Sequence, residues 1–215
     1  MRWFLLSFFA LLFISSIAII HRIKKPLLLN NKMLPSIERP VGDTRKATLI
    51  RLKRYAEGLE NIIHKDNLSN RYCFMIDMGM ASGSKRFFVV DLKNDSIIHA
   101  GLVTHGSGVN HSPGSIAYSN EPGSNCTSEG KYKIGKSYYG KFGLAFKLHG
   151  MDKSNSNAFN RFVVLHAHSC VPDNEIDPLK ICMSWGCPTV SPTFLDQLKI
   201  YIGEAEKPVL LWIFK

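Results

Sequence analysis

Beyond Asn70 the apolar residues of this chain come in short runs, and that pattern restricts its fold more than any other feature. Residues 71–77, 87–92 and 97–104 are short runs rich in aromatic and β-branched side chains, and 144–148, 162–165 and 209–214 are further short apolar runs. Short runs of this kind, bounded by Gly, Ser, Asn and Pro, read as strands. Lys93-Asn94-Asp95 lies between the second and third runs and reads as a hairpin turn. Residues 105–130 and 150–160 are rich in Gly, Ser and Asn, and long polar loops on a β scaffold are where binding sites usually sit. The expected architecture is mainly β, with one or two peripheral helices.

Upstream the period is helical. Leu49, Leu52, Ala56, Leu59 and Ile63 alternate spacings of three and four, which places them on one face of a helix over 44–65, capped by Asp43-Thr44. Pro26, Pro35, Pro40 and Gly42 mark 26–42 as a linker. Residues 3–20 carry no charge and only three serines. Such a run spans about 27 Å as a helix, close to a bilayer's hydrocarbon thickness. His21-Arg22 follows it in place of a small-residue cleavage site, so 1–25 reads as an uncleaved membrane anchor in preference to a cleaved signal segment. The expected organisation is an anchor or signal over 1–25, a basic linker over 26–42 and one domain over 43–215.

The net charge of +10 does not mark a nucleic-acid binder. Residues 21–54 hold ten Lys or Arg against Glu38 and Asp43, whereas 55–215 hold sixteen basic against fifteen acidic residues. The folded part is nearly neutral, and the basic stem suits anionic headgroups.

The residues with chemical potential cluster between 162 and 190. Phe-Val-Val-Leu-His166-Ala-His168-Ser-Cys170 is followed by a polar loop and then by Ser184-Trp185-Gly186-Cys187-Pro188. A thiolate is the competent nucleophile, and a nearby imidazole can take the thiol proton. Gly186 would let a substrate carbonyl approach the N–H groups of Gly186 and Cys187, which form the expected oxyanion hole. From the residues alone, a buried structural Cys187 with a core His166 stays open, and His168 competes as the base. His166, His168, Cys182 and Cys187 lack the spacing of a zinc site.

Together with Leu-Val-Thr-His105-Gly-Ser-Gly, Tyr118-Ser119-Asn120, Pro122-Gly123-Ser124 and the segments 140–150 and 159–166, these motifs resemble the L,D-transpeptidase (YkuD-like) family. The resemblance is to its murein L,D-transpeptidase catalytic-domain branch and covers roughly 70–215. It implies an L,D-transpeptidase-like β-sandwich or barrel, with Cys187 as nucleophile and His166, directly after the apolar run, as general base. Gly186 and Ser184 match the motif around the nucleophile, and Trp185 stands where the wider family commonly has His. His105, Ser119 and Asn120 are the expected substrate-binding residues.

The implied partners are peptidoglycan stem peptides, with no metal and no organic cofactor. The implied reaction forms a thioester, releases D-alanine and cross-links to an acceptor amine in the bacterial cell envelope. A carboxypeptidase or other hydrolase on the same scaffold, or a silent wall-binding protein, are the alternatives. A catalytic domain facing the wall conflicts with Arg22, Lys24 and Lys25, which by charge alone favour a cytoplasmic C-terminal side. Cys73, Cys126, Cys170 and Cys182 allow three disulfide pairings or none, and Cys187 is expected outside any structural disulfide.

Overall fold

The computed structural model describes residues 41–109 and 116–215. The expected anchor over 1–25 and most of the linker lie outside the described residues. Among those described, no helix is long and apolar enough to cross a membrane.

Eight strands form one mixed sheet: β1 (Tyr72–Asp77), β2 (Phe87–Asp91), β3 (Ser96–Gly101), β4 (Gly130–Gly140), β5 (Gly143–Gly150), β6 (Val164–Ala167), β7 (Thr189–Val190) and β8 (Leu210–Phe214). Their spatial order is β3-β2-β1-β8-β4-β5-β6-β7. The protein is therefore mainly β, with one mixed sheet whose two ends approach each other: Thr104 N–H, just past β3, donates to Thr189 O of β7 at 2.9 Å. β2 and β3 pair antiparallel across the expected turn, where Asp95 has φ +48°.

Alternation along β1 explains why one sheet suffices. Phe74 and Ile76 enter one hydrophobic cluster, with Phe87, Leu148, Leu165 and Leu211, while Cys73 and Met75 enter another, with Phe88, Leu210 and Phe214. Both faces of β1 are buried because helices contribute to each cluster. Leu52, Leu59 and Ile63 belong to the second. Phe194, Leu195 and Leu198 of α3 (Pro192–Glu204) belong to the first.

Three α-helices are described, more than the one or two expected. The single helix read over 44–65 is two, α1 (Val41–Ala56) and α2 (Leu59–Lys65). Gly58 lies between them at φ +85°, a left-handed conformation that ends a helix and that glycine adopts without penalty. The apolar stripe continues through the break, since Leu52, Leu59 and Ile63 all stay buried. α3 and β4 were not anticipated. α3 begins with Ser191, whose Oγ accepts from Phe194 N–H at 3.2 Å, and with Pro192 in the first turn.

Candidate active site

β6 and β7 are parallel neighbours in which His166 lies opposite Thr189. The Ser184–Cys187 turn enters β7 directly, so strand pairing brings two segments twenty residues apart in sequence onto one edge of the sheet. The turn is tied down at each residue that needs fixing. Ser184 N–H donates to His105 O at 2.9 Å, and Ser107 N–H donates to Ser184 O at 2.8 Å. Ser184 Oγ donates to Cys187 O at 2.6 Å and accepts from Gly186 N–H at 3.2 Å. Thr104 Oγ1 donates to Cys187 O at 3.2 Å and accepts from Thr189 N–H at 3.1 Å.

Gly186 is required by geometry. Its φ is +107°, and an added Cβ would lie 2.7 Å from Cys126 O. Gly186→Ala therefore meets both backbone strain, about 1–3 kcal/mol, and a carbonyl that cannot yield. The expected result is a lower thermal midpoint together with turnover reduced by about tenfold or more, because the neighbouring thiol is displaced. Thermal melts and initial rates on the same preparation check it.

A cavity of about 630 Å³ opens over this edge, lined by His166, Cys187, Thr189, Thr104, Ser184, Trp185 and Arg161, with Tyr138 and Phe142 from the β4–β5 ribbon. Its rim is aromatic: Trp185 is 77% exposed and Phe162 81%. Phe142 stacks on the His166 ring at 4.9 Å and 22°, which shields the imidazole from water.

His166 is buried, and its Nδ1 lies 3.0 Å from Ala167 O. A carbonyl can only accept, so Nδ1 carries the proton and Nε2 accepts from Thr189 Oγ1 at 3.1 Å. Burial lowers the His166 pKa, with His168 adding to the effect and the Ala167 carbonyl opposing it. The Cys187 thiol accepts from Val164 N–H at 3.5 Å and reaches Phe162 O at 3.8 Å. Burial raises its pKa, while Val164 N–H and the Arg161 guanidinium pull the other way. Among the described residues no hydrogen bond joins Cys187 to His166. Each of the two groups is instead held by its own partners.

Among the described residues Arg161 is the one guanidinium lining the cavity. It donates to Ser119 O and Cys126 O, each at 2.8 Å, and also to Ser128 Oγ and Ser124 Oγ. No carboxylate among the described residues pairs with it.

The two N–H groups expected to form an oxyanion hole differ in their engagement. Gly186 N–H is engaged by Ser184 Oγ, whereas Cys187 N–H is donated to no described residue. His105, Ser119 and Asn120 are not among the residues lining the cavity. His105 Nδ1 accepts from the fully buried Arg86 at 3.0 Å, and burial and that charge push the His105 pKa down to about 4. Its carbonyl holds Ser184, so its part in the site is indirect. Asn120 Oδ1 accepts from Asn157 N–H at 3.0 Å, and its Nδ2 donates to Lys153 O and Ser156 Oγ. Ser119 offers its carbonyl to Arg161 and its Oγ to Glu121 N–H. His168 does line the cavity, but its Nδ1 accepts from Cys170 N–H at 3.1 Å.

The contact of Thr189, the polar residue two places after Cys187, with His166 is not legible in the sequence, because it exists only through β6–β7 register. Cys170 and Cys182 form a disulfide that closes the loop between His168 and the Ser184 turn. Cys187 is a half-buried thiol outside it, and Cys73 is a buried thiol. Among the described residues, no group of three or more His, Cys, Asp or Glu is placed to hold a metal ion.

The family model for the L,D-transpeptidase catalytic domain matches residues 44–212. A search of curated proteins found no match. Among solved structures, this chain is similar to an L,D-transpeptidase from Xylanimonas cellulosilytica at 12% identity and TM-score 0.36, covering 68% of this chain and 61% of that one. It is similar to Bd1075 of Bdellovibrio bacteriovorus at 19% identity and TM-score 0.41, covering 68% and 48%. A third is the helical cell shape determining protein Pgp2 of Campylobacter jejuni, at 12% identity and TM-score 0.43, again covering 68% and 48%. The chain thus spans about half to three fifths of the length of these proteins.

Proposed function

This chain belongs to the L,D-transpeptidase catalytic-domain family, and we propose that it is a cysteine-dependent acyltransferase acting on peptidoglycan stem peptides. The family as a whole supports a role in cross-linking the wall, with its members working in the cell envelope. The finer reading rests chiefly on one observation: His166 of β6 and Cys187 in the turn entering β7 line a common cavity, and among the described residues Cys187 is the one thiol lining it outside a disulfide.

In the proposed reaction the donor stem peptide lies across the cavity with its penultimate carbonyl carbon against Cys187 Sγ. His166 Nε2 takes the thiol proton after exchanging its bond to Thr189 for one to Sγ, a tightening that substrate binding commonly brings. The new S–C bond gives a tetrahedral oxyanion that Cys187 N–H faces, and the Arg161 charge favours the thiolate character that precedes it. Collapse breaks the C–N bond, the imidazolium proton passes to the departing D-alanine amine, and a thioester remains. An acceptor amine from a second stem then attacks, its proton goes to His166, and the thiolate leaves and is reprotonated. These steps ask nothing of a metal or organic cofactor.

The pH profile carries a sign. His166 must be unprotonated to act, and burial lowers its pKa below the usual 6.5. The acid limb of kcat/KM is expected to rise with pH through a midpoint below that value, and a midpoint above it would contradict a shielded His166 as the base.

The test of the function is turnover of purified disaccharide tetrapeptide by the full chain, followed by mass spectrometry. Cross-linked dimer with release of D-alanine supports transpeptidation. Tripeptide alone moves the activity to a carboxypeptidase, and no product contradicts both.

A further inference from the structure

The β4–β5 ribbon carries a basic and aromatic strip that the reaction above does not use. Lys133 and His149 face each other across β4 and β5, and Lys147 lies two residues before His149, on the same side of the strand. Burial and the charges of Lys133 and Lys147 lower the His149 pKa, and its ring lies flat on Phe159 at 4.9 Å and 14°. Gly135 leaves room for it, since a Cβ there would come within 2.6 Å of His149 Nε2. Lys147 Nζ stands 5.6 Å from the Phe159 ring centre and 5.8 Å from that of Tyr138.

Two observations make this more than a solvated face. Neither Lys133 nor Lys147 makes an ion pair among the described residues, and Asp152 is already held by Lys131 at 3.0 Å. Both rings stay open to solvent, with Phe159 47% and Tyr138 38% exposed. Tyr138 also lines the Cys187 cavity, so the strip is continuous with the site and leads away from it.

We propose that this strip binds the carboxylate-bearing glycopeptide polymer beyond the reacting bond, its carboxylates meeting Lys133 and Lys147 and its sugar rings lying against Phe159 and Tyr138. The proposal rests on the wall-polymer reading of the cavity. Unpaired exposed cations select an anionic partner, and amphipathic ring faces suit a partner with both polar and apolar surface. Continuity with the cavity selects the polymer over a separate ligand.

The test compares the full chain with its Lys133→Gln/Lys147→Gln form in co-sedimentation with insoluble peptidoglycan at low salt. Both are also tested on peptidoglycan whose carboxylates have been amidated and on phosphatidylglycerol vesicles. The alkylation rate of Cys187 by iodoacetamide serves as a check that the site is intact. The double substitution is expected to weaken sedimentation about three- to tenfold with the alkylation rate unchanged. Amidation is expected to weaken the native chain similarly and to abolish the difference between the two. Equal binding of both forms, or a difference that survives amidation, overturns the proposal. A loss confined to the vesicles overturns it in favour of a membrane surface. Absence of turnover on the soluble tetrapeptide with this binding difference intact would remove the catalytic reading and leave the strip.

Discussion

Cys187→Ala and Cys187→Ser are each expected to lower acyl transfer by at least about 10³-fold, with little change in thermal midpoint. The thiol is half-buried at the cavity wall and its contacts with Val164 N–H and Phe162 O are long, 3.5 and 3.8 Å, so little packing is lost with it. Its backbone is held independently, since Cys187 O accepts from Ser184 Oγ and Thr104 Oγ1. The serine form is informative because it keeps size and polarity but offers a far weaker nucleophile at neutral pH. Initial rates on disaccharide tetrapeptide and thermal melts check both variants. Residual turnover within tenfold of the native rate would place the nucleophile elsewhere.

The second large effect is at His166. His166→Gln preserves a polar group near Thr189 but removes the basic nitrogen, and turnover is expected to fall about 10²- to 10⁴-fold. The acid limb of the pH profile should disappear with it. Thr189→Val removes only the hydroxyl that orients Nε2 at 3.1 Å, so its effect is expected to be smaller, with the limb retained. If instead His168→Gln produced the larger loss and His166→Gln kept the limb, the base would be His168. The structure gives His168 a different setting, exposed and with Nδ1 occupied by Cys170 N–H.

Much of this arrangement is legible in the order of residues. β1, β2 and β8 announce themselves because their apolar runs are dense, and they are dense because both sheet faces are covered, whereas β5 is read from a shorter run interrupted by the exposed Lys147. β4 hides because only Tyr132 and Ile134 alternate inward before the ribbon emerges into solvent at Lys136 to Gly140. α3 carried readable signals, Ser191-Pro192 and then Phe194, Leu195 and Leu198, but they follow the Cys187 turn so closely that they pass for loop. The helix over 44–65 was read through Gly58 because a stripe of apolar residues does not register the backbone dihedral that breaks it.

At the site, the neighbourhood of His166 and Cys187 follows from a strand ending in His and a Gly-containing turn entering the next strand. What pairing alone determines could not be read. Thr189 meets His166 only because β7 runs parallel to β6 in that register. His105 was an expected substrate-binding residue, yet a fully buried Arg86 at 3.0 Å claims its side chain. The polar loop residues Ser119 and Asn120 are likewise engaged by Arg161 and by the turn at Lys153–Asn155. Loop composition signals that a loop is polar, not whether its polar atoms face a ligand or each other.

The most direct measurement is intact-protein mass spectrometry of the full chain mixed with disaccharide tetrapeptide and quenched in acid at early times. A covalent adduct with the mass of the donor less D-alanine, mapped by peptide digestion to Cys187, is the predicted result. An adduct on any other residue, or dimer formation with no adduct and full activity in Cys187→Ala, would contradict Cys187 as the acyl carrier.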